Sequence, residues 1–177
     1  MVRLLAAAVA GALCVISFVS SASAVVPIPE PRPDYPPADS FKDRVACLAK
    51  AVYFEARGEP DAGQRMVASV ILNRVLSPYY PDTVCEVVYQ NKHLRNACQF
   101  SFACDGIPDV VSDTKAFRKA QQIAIESLSC GSKCHTFRRL LSSPTHYHAD
   151  QVSPAWADKL LRTGKIGRHV FYYTSTM

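Results

Sequence analysis

AVYFEARGEPDAGQRMVASVILNRV, residues 51 to 75, decides how the rest of the chain is read. It holds the end of one helix, a break, and the body of a second helix. Upstream, Phe41, Val45, Leu48, Val52 and Ala56 recur at three- and four-residue intervals, the spacing of one apolar helix face. Ser40 is placed to cap that helix and Gly58 to stop it, so the spacing predicts a helix over 41–56. Pro60, with its fixed φ and missing N–H, suits the first position of a second helix, whose mostly apolar face carries Val67, Val70, Ile71, Arg74 and Val75. Glu55 follows Leu48 by nearly two turns and therefore shares the apolar stripe at the C-terminal end of the first helix. Partial burial disfavours its charged form, and the negative end of the helix dipole disfavours it further. A carboxyl kept protonated near neutral pH is what a general acid requires. The competing role is a buried Glu paired with Arg57 or Arg74. Glu59, just before Pro60, meets the positive end of the next helix, which favours its ionised form. A capping role is its plainest use; assistance to an oxocarbenium-like transition state is the other.

Further out, Thr83-Val84-Cys85-Glu86 forms a capping box opening a short helix through Tyr89. Residues 91–112 read as irregular. Phe117, Ala120, Ala124 and Leu128 predict a helix over 114–128. Ser153-Pro154 opens a short helix that Gly164 is expected to end, and Thr145–His148 and His169–Tyr173 read as strands. The fold class is mainly α (α+β), with a few short strands.

At the other end, Arg3 precedes an apolar run from Leu4 to Val19 and an Ala22-Ser23-Ala24 cleavage pattern, so residues 1–24 read as a secretory signal peptide. The retained alternative is a membrane anchor, for which the run is near the short limit. Residues 25–38, with six prolines between 27 and 37, read as a stiff linker or equally as a disordered tail with no role, and the domain is expected to occupy 39–177. Without the leader, 19 Lys and Arg face 15 Asp and Glu, a net of +4 that suits an anionic envelope polymer. No dense basic stripe with interleaved aromatics points to nucleic acid. Six cysteines survive cleavage, an even number expected to form disulfides in an exported chain. Cys98 with Cys104 and Cys130 with Cys134 are the shortest loops and the favoured pairs.

The 51–75 stretch resembles the SleB-type cell wall hydrolases, the spore-cortex-lytic enzyme family. Further matching runs follow in order: PDTVCEVVYQ from Pro81, CQFSFACDG from Cys98, THYHADQVSPAWA from Thr145 and IGRHVFY from Ile166. The resemblance implies a lysozyme-like fold related to lytic transglycosylases, no cofactor, and peptidoglycan glycan strands as partner. It places the catalytic acid at the Glu ending the first core helix, which here is Glu55 in Glu55-Ala56-Arg57-Gly58-Glu59-Pro60. It further implies cleavage of the β-1,4 bond between N-acetylmuramic acid and N-acetylglucosamine by an exported, periplasmic or secreted monomer. His146-Tyr147-His148-Ala149 departs from the Tyr-Tyr-Phe-Asn-like run of the spore enzymes, which also lack the cysteines, so their detailed substrate preference does not transfer.

Within these runs Glu59, Gln64, Asn73, Gln99, Ser101, His146, Tyr147 and His148 are candidate substrate-binding residues. Each polar group alone is as readily a cap or a satisfied core amide. The two histidines and Tyr147 are expected to line a sugar cleft; aromatic packing is the alternative. A zinc amidase or peptidase built on the His146/His148 pair, with His135, His169 or Asp150 as third ligand, is the rival chemistry. A peptidoglycan-binding module without activity is the other. Trp156 is expected to be a core anchor.

Overall fold

The computed structural model describes residues 39–94, 98–129 and 143–174. The chain divides into two units, 1–36 and 37–177, and every described residue falls in the second. The signal peptide and the proline-rich linker lie outside the described residues.

Helix α1 runs Phe41–Ala56, with the Ser40 side chain accepting from the Asp43 N–H at its start. Leu48, Ala49, Val52, Tyr53 and Ala56 are buried, so the apolar stripe faces inward. Pro60 sits at the N-cap, one position before α2, Asp61–Val75. A proline there forfeits no helical bond, because the first N–H groups have no intrahelical acceptor. Helix α3, Val84–Val88, starts on the expected capping box, with Thr83 Oγ1 accepting from the Glu86 N–H. Helix α4 covers Thr114–Ser129. The main core gathers Leu48, Val52, Ile71, Val87, Phe100 and Ile123 from four helices and the loop before α4.

Three antiparallel strands follow: β1 His146–Ala149, β2 Leu161–Ile166 and β3 His169–Tyr173, in the order β1-β3-β2. Phe171 of β3 packs with Met66 and Val70 of α2, which fixes the sheet against the helices. Two expectations are corrected here. Ser153-Pro154 begins no regular helix; a single turn of 3-10 helix forms at Ala157–Lys159. Gly164 is no helix stop but lies inside β2, where the register to β3 shifts between Arg162 and Gly164. Glycine suits such an irregularity, with no side chain to pack and a permissive backbone.

Cys98 and Cys104 are joined, as the short loop suggested, and Cys47 is joined to Cys85, tying α1 to α3. Cys130 and Cys134 lie outside the described residues.

Candidate active site

Glu55 stands on the last turn of α1, half-buried, facing β1 and the loop held by Cys98–Cys104. Burial raises its pKa above the ordinary carboxylate value; hydrogen bonds from the Tyr147 hydroxyl and from the side chain and backbone of Ser101 pull the other way without cancelling it. Tyr147 Oη donates to Glu55 Oε2 at 3.1 Å. Burial, and behind it the Glu55 charge, pushes the Tyr147 hydroxyl well above its usual pKa, so it stays a donor. The ion pair that competed for Glu55 does not form: among the described residues no Arg or Lys bridges it. Arg57 lies over the Tyr53 ring at 4.9 Å. Arg74, buried, donates from Nε to Thr145 O at 2.7 Å and lies over the rings of Tyr80 and Phe100.

Glu55 opens into a cavity of about 620 Å³ whose walls include Arg74, Gln99, Ser101, Tyr147 and His169. Of the candidate binding residues, Gln99, Ser101, Tyr147 and His148 border this cavity with Glu55. Two others do other work. Gln64 is buried and donates from Nε2 to Glu59 O at 2.9 Å, bracing the α1–α2 junction. Asn73 donates from Nδ2 to Pro144 O at 2.8 Å and borders a different cavity.

Of the two histidines, His148 borders the cavity and His146 does not. Neighbouring strand residues point to opposite faces, and Tyr147 takes the face of Glu55, His169 and Phe171. His146 and His148 take the other, both in ring contact with Trp156, while His148 stacks on Tyr172 at 5.3 Å. His148 Nδ1 lies 2.8 Å from Ala149 O, which can only accept, so Nδ1 donates there, and Nε2 is hydrogen-bonded with Tyr172 Oη, 2.9 Å away. Burial, with the Arg74 charge, draws His146 down to about 4. Trp156 anchors this aromatic stack. Among the described residues no three His, Cys, Asp or Glu side chains are grouped to hold a metal ion, and His135 lies outside them.

Glu59 is neither a simple cap nor a free second carboxylate. Its side chain is 3% exposed and accepts from the Arg168 backbone N–H at Oε2 (2.9 Å) and from Arg168 Nε at Oε1 (3.0 Å). Burial alone would raise its pKa; the two bonds from Arg168 and the charges of His169 and Arg168 outweigh that and hold it below the ordinary value. Arg168 was not among the expected site residues, and His169 was weighed only as a metal ligand. The alternation in His169-Val170-Phe171 was the available signal, since a buried Phe171 carries His169 to the same face.

Removing the Tyr147 hydroxyl provides a test of this geometry. Its bond to Glu55 favours the carboxylate, so Tyr147→Phe should raise the Glu55 pKa and move the alkaline limb of the pH–rate profile for sacculus clearing upward. The rate should also fall about tenfold, on the scale of one hydrogen bond to a charged group. A limb that moves to lower pH would contradict the arrangement.

Residues 58–172 match the cell wall hydrolase family, a span beginning three residues after Glu55. The spore cortex-lytic enzyme of Halalkalibacterium halodurans is 30% identical over 135 residues, covering 76% of this chain and 36% of that protein. The chain thus spans less than half the length of the curated relatives it matches. The crystal structure of the catalytic domain of the Bacillus cereus SleB protein superimposes with a TM-score of 0.58 at 26% identity, covering 82% of this chain and all of that one. The catalytic domain of the germination-specific lytic transglycosylase SleB from Bacillus anthracis gives 0.56 at 27% identity, covering 78% of this chain and all of that one.

Proposed function

The chain belongs to the cell wall hydrolase family, and from that premise we propose that it is an exported enzyme that cuts peptidoglycan glycan strands between N-acetylmuramic acid and N-acetylglucosamine, with Glu55 as its acid. The observation that carries this reading is a carboxyl whose pKa is raised by burial, set in the wall of an open cavity. Glu55 gives its proton to the glycosidic oxygen as the bond from C1 to that oxygen breaks, and Tyr147 steadies the carboxylate left behind. Glu59 is anchored by Arg168, so it is not offered as a nucleophile. The 6-hydroxyl of the muramic acid itself then attacks C1, Glu55 takes its proton, and a 1,6-anhydro end results. This is lytic transglycosylase chemistry, the activity printed for the Bacillus anthracis structure; attack by water is the close variant.

Because the rings of His146 and His148 are engaged with Trp156 and Tyr172, activity on purified sacculi should survive exhaustive chelation. Loss with EDTA and recovery with zinc would place the zinc amidase first.

A further inference from the structure

A smaller recess adjoins the Glu55 cavity, sharing Glu55, Ala149 and His169 with it and bounded on the far side by Gly58, Gln151 and Arg168. Arg168 is unusual for an arginine that is 68% exposed. One edge of it is fixed, since its Nε and backbone N–H both go to the buried Glu59 carboxylate. Glycines accommodate the assembly on two sides. A Cβ at Gly58 would lie 3.3 Å from Arg168 Nη2, so the guanidinium rests against the bare backbone beside the recess. A Cβ at Gly167 would lie 1.9 Å from Glu59 Oε2. No acceptor among the described residues is hydrogen-bonded to the Nη groups. His169, 7% exposed, borders the same recess and keeps a buried Nδ1 without a hydrogen-bond partner.

Long side chains ordinarily lose rotamer freedom when they bind, which weakens recognition. Arg168 has already been ordered by Glu59, and its remaining N–H groups keep the planar fork that fits a carboxylate. Glu55 is an adjoining wall, so an anion held there must belong to a sugar at the bond being cut. Of the two sugars in a glycan strand only muramic acid carries a carboxyl, on its lactyl group, either free or extended by a peptide that bears carboxylates of its own.

We propose that Arg168 is a substrate-binding, specificity-determining residue that receives a carboxylate substituent of the muramic acid next to the scissile bond. The inference rests on the glycosidase reading above. Arg168 on this account does more than hold Glu59, which is the purely structural alternative.

The test uses the mature exported protein and three substrates: peptide-free glycan strands with free lactyl carboxylates, the same strands methyl-esterified, and peptide-bearing strands. Wild type should show kcat/KM on the free acid about 10- to 100-fold above the ester, the range for hydrogen bonds to a charged group. Arg168→Gln should bring that ratio close to one, and Arg168→Lys, which keeps the charge but not the fork, should fall between. Preference for peptide-free over peptide-bearing strands assigns the carboxylate to the lactyl group; the reverse assigns it to the peptide. A wild type that prefers neither the free acid over the ester nor peptide-bearing over peptide-free strands overturns the proposal without any variant having to fold, and so does an Arg168→Gln protein that keeps the wild-type preferences. Wild type inactive on all three strands would instead overturn the glycosidase reading, and this proposal with it.

Discussion

Glu55→Gln should lower clearing of purified sacculi by about 100- to 10,000-fold, the usual contribution of a general acid, without loss of folding. Gln preserves the shape of the carboxyl and can still accept from Tyr147, but has no proton to give. The stability effect has a definite sign. The folded-state pKa of Glu55 is raised above the ordinary value of 4.5. Its contribution to stability is therefore fully present below the unfolded pKa and is lost as pH rises through the folded pKa. Gln carries no charge at any pH, so the variant should melt with wild type in acid and at the same or higher temperature near neutrality. A Glu55 held by a buried ion pair would give the opposite, because breaking such a pair is strongly destabilising. An active variant, or one that unfolds near neutral pH, would defeat the assignment.

The largest stability effect is expected at Gly167, in the β2–β3 turn. Its φ is +57, a conformation costing a side-chain-bearing residue roughly 1–3 kcal/mol. An alanine Cβ there would also collide with Glu59 Oε2 and lie 2.9 Å from Pro60 Cδ. Glu59 would be driven off Arg168, and leaving its buried carboxylate without those hydrogen bonds costs about 1–3 kcal/mol or more. At about 2–4 °C per kcal/mol for a domain of this size, Gly167→Ala should melt roughly 10 °C or more below wild type. Gly106 supplies the control: its φ is +79, yet nothing lies within 4 Å of a Cβ built there. Gly106→Ala should show only the backbone cost, a few degrees by the same conversion. Equal shifts in differential scanning calorimetry would mean that the Glu59 contact contributes nothing.

What the sequence made legible follows the range of each signal. Helix α1 was readable to its last residue because its cap, stripe and stop are all local. Glu55 was readable because its burial follows from that stripe. Strand β2, Leu161–Ile166, was not, because its residues are mostly exposed or half-buried and alternate in no apolar pattern. It forms because β3 offers a second edge. The true partner of Glu59 lies 109 residues away in Arg168, and no helix-start argument reaches that far. The division of the histidines was legible too: the same alternation that places His146 and His148 on one face sends Tyr147 to the other.

Mass spectrometry of the soluble products from purified sacculi tests the central claim most directly. Cleavage by Glu55 with internal attack predicts glycan fragments ending in 1,6-anhydro-muramic acid, lighter by one water than the hydrolysed sugar, and their disappearance with Glu55→Gln. Release of stem peptides from glycan strands that remain uncut would contradict it.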